Sequence, residues 1–258
     1  MRITLIQTDL VWENKKANLE LYSRLICELK GKTDLVVLPE MCTTGFSMQA
    51  AELAEFNDGN TLKTLTRLAA QNNTALCGSH IGKDNDSAFF NRGFFIQPDG
   101  KTDFYDKKHL FRMGEESMHY TCGNQQCTVS YMGWNIRLAI CYDLRFPVWL
   151  RNIDNAYDLL LVVSNWPESR QSVFSALLTA RALENQAYVC GVNRIGMDGS
   201  KLNHVGGSML INAYGKTLNT NVLNETSIQT LELNIEELQR FREKFPVWKD
   251  ADRFMLTS

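Results

Sequence analysis

The sequence lacks any apolar run approaching the roughly 20 residues a bilayer-spanning helix needs, so no membrane span is expected. It lacks a surplus of either charge. With 27 Lys and Arg against 29 Asp and Glu, the net charge is −2, which argues against nucleic acid or an anionic membrane surface as partner. The start, Met1 to Asp9, turns polar at Gln7 and Asp9, too soon for a signal-peptide core. A cytoplasmic protein is therefore expected. Cysteine is present but a framework is missing: the seven cysteines, 27, 42, 77, 122, 127, 141 and 190, are odd in number, scattered and without a C-x-x-C pair. That pattern fits neither a disulfide scaffold nor a thioredoxin-like redox motif. His119-x2-Cys122-x4-Cys127 matches none of the usual zinc spacings, so no metal is expected. There is no repeat period, low-complexity tract or linker. One α/β domain over residues 1–258 is the expectation, long enough to bury a sizeable core.

Strands alternate with amphipathic helices in the first part. Ile3 to Gln7 and Asp34 to Pro39 are β-leaning, and the second is apolar throughout, as in a sheet covered on both faces. Between them Leu19, Tyr22, Leu25, Ile26 and Leu29 recur at helical spacing, with Gly31 as a stop. A second helix carries Leu62, Leu65, Leu68 and Ala69 and ends near Asn72-Asn73. Strands follow at 75–81 and 88–96, and the turn Pro98-Asp99-Gly100-Lys101 returns the chain through Thr102 to Tyr105. Further strands are expected at 158–164, 188–192, 205–211 and 227–233, and helices at 169–185 and 235–241. A short strand is expected to return after the turn Ala213 to Lys216.

The chain is organised around Asn135 to Pro147. Ile136 to Ile140 reads as a short buried strand ending at Cys141, after which Tyr142, Asp143 and Arg145 are polar. Phe146-Pro147 opens a segment, Val148 to Ile153, that is expected to begin a helix. Backbone N–H groups at such a junction point into a crevice, where they lower a thiol pKa and cradle an oxyanion. The competing reading is a buried cysteine acting as a small hydrophobe. Three other polar punctuations follow strands or break periodicity: Glu40 in Leu38-Pro39-Glu40-Met41, the run Tyr105-Asp106-Lys107-Lys108-His109-Leu110-Phe111, and the paired acids Glu115 and Glu116. Each alone could be a solvated charge; strand C-termini are nevertheless where α/β proteins place functional groups.

Taken together and in this order, the motifs resemble the nitrilase superfamily, the carbon–nitrogen hydrolases with a Glu–Lys–Cys triad. The resemblance assigns Glu40, Lys107 and Cys141 to the triad. Lys107 fits because it lies two residues before His109-Leu110, and Glu116, ahead of Gly123, matches the second glutamate better than Glu115. Arg112-Met113, Phe146 to Trp149, Ser164-Asn165-Trp166-Pro167, Thr179 to Ala182 and Arg242 to Pro246 are similar to bacterial omega-amidases. The resemblance implies a four-layer αββα sandwich that forms a homodimer, with the tail of about 242–258 at the interface. It also implies hydrolysis, without cofactor, of the distal amide of 2-oxoglutaramate or 2-oxosuccinamate.

The residue types suit that chemistry. An amide is a poor electrophile with a poor leaving group, and thiolate is a strong nucleophile near neutral pH. Glu40 would move the proton from Cys141 to the departing ammonia and then activate water. Lys107 and the Tyr142 N–H would face the oxyanion, and Glu116 would orient Lys107 or the substrate. For a substrate carboxylate, Arg145, Arg170 and Arg194 are candidates; Phe46 and Trp166 could wall a small pocket. Three alternatives stand beside this reading: a Cys–His hydrolase using His109 or His80, a thiol sensor pairing Cys141 with Cys42 or Cys190, and a non-catalytic binding module. Another amide, a nitrile or an N-carbamoyl compound also remains open as substrate.

Overall fold

The computed structural model describes residues 1–86, 88–220 and 222–255. The first strand, β1 (Arg2–Gln7), leads into α1 (Lys15–Glu28), whose Asn14 side chain accepts the Ala17 N–H as an N-cap. Then come β2 (Leu35–Val37), the short α2 (Ala50–Leu53), α3 (Asn60–Asn72), β3 (Ala75–Lys83), β4 (Phe89–Ile96) and β5 (Thr102–Asp106). Helix α3 stops at Asn73, which takes a left-handed φ of 50°. After α4 (Glu116–His119) follow β6 (Thr128–Tyr131), β7 (Trp134–Ile140), β8 (Leu159–Ser164), α5 (Gln171–Asn185) and β9 (Tyr188–Asn193). The chain ends through β10 (Ile195–Met197), β11 (Asn203–Val205), β12 (Met209–Ile211), β13 (Ser227–Glu232) and α6 (Ile235–Lys244).

Two sheets stack face to face. One runs β13-β1-β2-β3-β4-β5, the other β12-β9-β8-β7-β6. Strand pleating sorts the side chains into layers. Ile3, Leu5, Leu35, Val37, Ala75 and Cys77 pack with the β7 and β8 side chains between the sheets. Ile6, Val36, Leu38, Leu76 and Phe94 point the other way, against Leu19, Tyr22 and Ile26 of α1 and Leu62 and Leu65 of α3. Phe174, Leu178 and Ala182 of α5 cover the second sheet. This is a four-layer αββα sandwich. β1-β2-β3 and β7-β8-β9 are parallel, so the carboxyl ends of β2, β7 and β8 open onto one crevice, where α/β proteins bind ligands. Among the described residues no helix is long and apolar enough to cross a membrane.

Three segments differ from the sequence expectation. Residues 148–153 form no α-helix, only the start of a 3-10 turn at Ile153–Asn155; another helical turn comes earlier, as a 3-10 segment over Cys141–Arg145. Pro147 holds Phe146 out of the helical region, and the Asn152 side chain pairs with both the N–H and the carbonyl of Tyr157, drawing the chain away. The stretch 205–211 is two strands. Gly206 and Gly207 have φ of +77° and +72°, and a Cβ on Gly206 would lie 2.3 Å from the Gln7 side chain. β11 therefore pairs with β10 in a separate hairpin, while β12 joins the second sheet. The return after residues 213–216 is an isolated bridge from Ile211 to Thr217.

Candidate active site

Glu40 follows β2, Lys107 follows β5, and Glu116 opens α4. Their side chains meet with zero solvent exposure. Lys107 Nζ lies 2.8 Å from Glu40 Oε1 and 3.0 and 2.9 Å from the two Glu116 carboxylate oxygens. Both carboxylates thus converge on one ammonium, the two Glu116 contacts being to a single carboxylate that one N–H can share. The second Glu40 oxygen accepts the Asn165 N–H at 2.8 Å, while Asn165 Nδ2 donates to the Glu40 carbonyl at 2.6 Å. Glu116 Oε2 accepts the Phe111 N–H, which pins α4 to the lysine loop. That loop is held from behind by Gly123, whose N–H donates to the Lys107 carbonyl. A Cβ on Gly123 would sit 2.1 Å from the Asp106 carbonyl oxygen, so no other residue fits there.

Cys141 sits at the corner where β7 becomes the 3-10 turn, with φ of +43°. Such a left-handed value in a non-glycine residue is strained and turns the thiol out of the strand end. The thiol is directed toward the Asn165 carbonyl, at 4.0 Å, and faces Glu40. Burial first, and then the Glu40 carboxylate, pushes the Cys141 thiol well above its ordinary pKa, with Lys107 pulling part of the way back. Burial disfavours the Lys107 charge, but Glu116 and Glu40 outweigh it and raise the lysine. Burial also raises Glu116, against the pull of Lys107. A thiol raised in this way, beside an ammonium and a carboxylate, needs a base to take its proton before it can react as a nucleophile.

The corner is braced by Asp143, a fully buried carboxylate. It accepts the Ile140 N–H at 3.0 Å and the Tyr105 hydroxyl at 2.7 Å. Its other oxygen accepts the His109 N–H at 2.9 Å and lies 2.8 Å from His109 Nδ1. His109 stacks on Phe146 with ring centroids 3.7 Å apart. It thus joins the lysine loop to the nucleophile turn and makes no bond to the thiol. His80 is buried apart from the cluster, and burial depresses it to about 4. Neither histidine stands as base to Cys141. Cys42 and Cys190 are buried free thiols, and no disulfide occurs among the described residues.

Above this floor opens a cavity of 590 Å³, lined among others by Glu40, Lys107, Cys141, Tyr142, Phe46 and Trp166. The volume suits a small ligand. Phe46 covers the lysine, its ring 5.1 Å from Nζ. Tyr142 N–H belongs to the first turn of the 3-10 segment, where N–H groups lack an intrahelical acceptor. Arg145 and Arg170 both line the cavity, half-buried. Arg145 rests over Trp166 at 5.1 Å and Arg170 over Phe111 at 5.3 Å. Neither makes an ion pair among the described residues, whereas Arg194, the third candidate, is fully buried and bound to Asp9 at 2.7 Å. Arg194 is a structural cation and not part of the cavity wall. Lys108 lies over Trp149, away from Glu40, and Glu115 is exposed with φ of +58°. No group of three or more His, Cys, Asp or Glu side chains among the described residues is placed to hold a metal ion.

Asn91, Asn165 and Asp143 carry much of this geometry, and sequence reasoning gave them no role. Asn91 does carry a visible signal: it is a polar amide inside the apolar strand Phe89 to Ile96, where burial demands hydrogen-bond partners.

A fold of this topology with a cysteine, two glutamates and a lysine converging at one crevice defines a class. The chain belongs to the carbon–nitrogen hydrolase family, whose model matches residues 2–243, and is a hydrolase acting on carbon–nitrogen bonds. Among particular relatives, it is 44% identical to the omega-amidase YafV of Escherichia coli K12 over 99% of this chain and 98% of that protein. It is 26% identical to the 2-oxoglutaramate amidase of Bacillus subtilis, with 96% of each chain covered. The crystal structure of XC1258 from Xanthomonas campestris superposes with a TM-score of 0.96 at 37% identity, covering 100% of this chain and 99% of that one. That structure is described as a superfamily protein with an arsenic adduct in its active site.

Proposed function

We propose that this protein is a thiol-dependent omega-amidase that hydrolyses the terminal amide of short 2-oxo dicarboxylic monoamides, such as 2-oxoglutaramate and 2-oxosuccinamate. The observation that carries the reading is the pair of cavity arginines, Arg145 and Arg170, left without a protein carboxylate near Cys141. A guanidinium held in a pocket without a partner favours a ligand that brings one. The names of the Escherichia and Bacillus relatives support the same substrate class.

The steps follow from the cluster. As Cys141 Sγ attacks the amide carbon, its proton passes to Glu40. Negative charge develops on the carbonyl oxygen beside Lys107 and the Tyr142 N–H. The C–N bond then breaks, Glu40 gives its proton to the leaving nitrogen, and ammonia departs from a cysteinyl thioester. Water enters, loses a proton to Glu40 and attacks the thioester. The C–S bond breaks, the proton returns to sulfur, and the dicarboxylate leaves. Glu116 holds Lys107 in place throughout. Phe46 and Trp166 close the pocket around the acyl chain.

We further propose one domain and a cytoplasmic homodimer. Seven free thiols suit a reducing compartment. An apolar patch joins Leu183, Tyr214, Phe241 and Phe245: Tyr214 stacks on Phe241 at 4.1 Å, and Phe245, the first tail residue past α6, is 58% exposed. Such a patch supports the reading of an interface between two copies. Arg242 anchors the start of the tail through Asp158 at 2.7 Å; residues 256–258 of the expected interface tail lie outside the described residues.

Ammonia release from 2-oxoglutaramate against butyramide tests the substrate assignment. A half-buried cation left without a partner when the substrate lacks the carboxylate should favour 2-oxoglutaramate by at least about 10²-fold in kcat/KM. Comparable rates would sink the omega-amidase reading and leave the thiol mechanism standing. Sedimentation at micromolar protein giving a species of 29.4 kDa would rule out the dimer.

A further inference from the structure

The charged side chains at the cavity floor share one neutral neighbour. Asn91 of β4 is fully buried. Its Nδ2 donates to Glu40 Oε1 at 2.8 Å and to Glu116 Oε1 at 3.0 Å. Its backbone carbonyl accepts the Lys107 N–H at 3.0 Å. One residue thus touches all three members of the buried ionic cluster.

The amide cannot turn over. Ser79 Oγ accepts the Met41 N–H at 2.7 Å and lies 2.9 Å from Asn91 Oδ1. A carbonyl oxygen only accepts, so the single Ser79 hydroxyl proton goes to Asn91 and the NH₂ group faces the carboxylates. Met41 directly follows Glu40 and has φ of +41°, so the same chain of bonds restrains the strained backbone that carries the base. Cys42 N–H adds a bond to the Ser79 carbonyl at 2.9 Å.

The charge balance shows what the amide does. Two carboxylates and one ammonium leave a net negative charge in a buried site, which favours protonation of a carboxylate. A neutral donor shared by both carboxylates supports their charge without adding a cation. It also divides the work between the oxygens of Glu40. Oε1 takes Lys107 and Asn91, filling its two lone-pair directions, while Oε2 takes only the Asn165 N–H. We propose that Asn91 is a positioning residue of the amidase site: it ties Glu40 to Glu116 and saturates Oε1 of Glu40, so that Oε2 receives the Cys141 proton. This assignment rests on the amidase reading above.

The test is the pH profile of Asn91→Asp, nearly isosteric, alongside Asn91→Ala and Ser79→Ala. A third carboxylate should move the acid limb of kcat/KM upward by about one pH unit or more. At pH 7 kcat should fall by about 10- to 10²-fold, with KM changed by less than about threefold and activity partly recovered at higher pH. Ser79→Ala, which frees the amide, should act in the same direction by about three- to tenfold. A merely structural role would lower activity equally at every pH. Iodoacetamide alkylation of Cys141, followed by intact mass, reads the same cluster without substrate, and Asn91→Asp should shift its midpoint upward. A folded Asn91→Asp protein whose rate profile and alkylation midpoint match the parent within about 0.3 pH unit overturns the proposal. Should both Asn91 variants fail to fold, an unshifted Ser79→Ala profile overturns it. If the parent enzyme hydrolyses no 2-oxo acid amide, the amidase reading fails, and the alkylation midpoint still decides the role of Asn91.

Discussion

The floor and the wall of the cavity use their charges in opposite ways. On the floor, Lys107, Glu40 and Glu116 are wholly buried and bound to one another, with Asn91 and the Asn165 N–H completing Glu40. On the wall, Arg145 and Arg170 are half-buried, rest on aromatic faces and have no ionic partner. The floor is electrostatically complete before any substrate arrives, as a preorganised site requires. The wall is incomplete until a ligand supplies negative charge. The proposed function then predicts that chemistry and recognition are separable, the floor treating every amide alike and the wall choosing among them. Arg194 marks the contrast, because a cation as deeply buried as the floor is paired internally with Asp9 and has nothing left for a ligand.

The strongest test of this separation is Cys141→Ala. Turnover should fall by at least about 10⁴-fold on every amide, with stability within about 1–2 kcal/mol of the parent. Chemical denaturation alongside ammonia release measures both, and residual activity above a trace would move the nucleophile elsewhere. In the parent, a thiol held protonated should be alkylated faster as the pH rises into the alkaline range, because only then does thiolate form. Next in size, Lys107→Met should lower kcat by about 10²–10³-fold. It should also cost about 3–5 kcal/mol of stability, since two buried carboxylates lose their cation. The same loss on 2-oxoglutaramate and on butyramide would place Lys107 on the floor.

Arg145→Met and Arg170→Met should each cost about 10- to 10²-fold in kcat/KM for 2-oxoglutaramate while leaving butyramide within about twofold. Parallel losses on both substrates would erase the distinction between floor and wall. The smallest effect belongs to Lys108→Met. Its ammonium lies over Trp149 and outside the cluster, so kcat should stay within about twofold of the parent. Equal damage from Lys107 and Lys108 would reverse the lysine assignment.

Much of the sandwich is visible in local pattern. The continuous apolar runs at Leu35–Val37 and Leu159–Ser164 could only be strands covered on both faces, and α3 declares itself through Leu62, Leu65 and Leu68. The edge strand β6 does not, because only Val129 of its four residues is buried and its partner lies in β7. β10 is equally silent, being three residues paired with β11 in a hairpin of its own. The absent helix after Pro147 was hidden for another reason: Asn152 reaches Tyr157 and Asn185, a competition that periodicity does not record. Glu40, Lys107, Glu116 and Cys141 stand out because polar residues interrupt apolar patterning there. Asn91 and Asp143 also interrupt apolar patterning, but their partners lie on other elements, so the sequence does not show what they do.

What the sequence determined by itself is the set of chemical groups and their order along the chain. Local periodicity is enough to place polar residues at several strand ends. Only the tertiary structure decided which groups meet. Residues 40, 107, 116 and 141 come from separate elements, and their charges matter at hydrogen-bond distance in a buried site. The same holds for the arginines. Arg145, Arg170 and Arg194 are alike as letters, and it was the packing of Trp166 and Phe111 beneath two of them, and of Asp9 against the third, that left two cations facing the cavity.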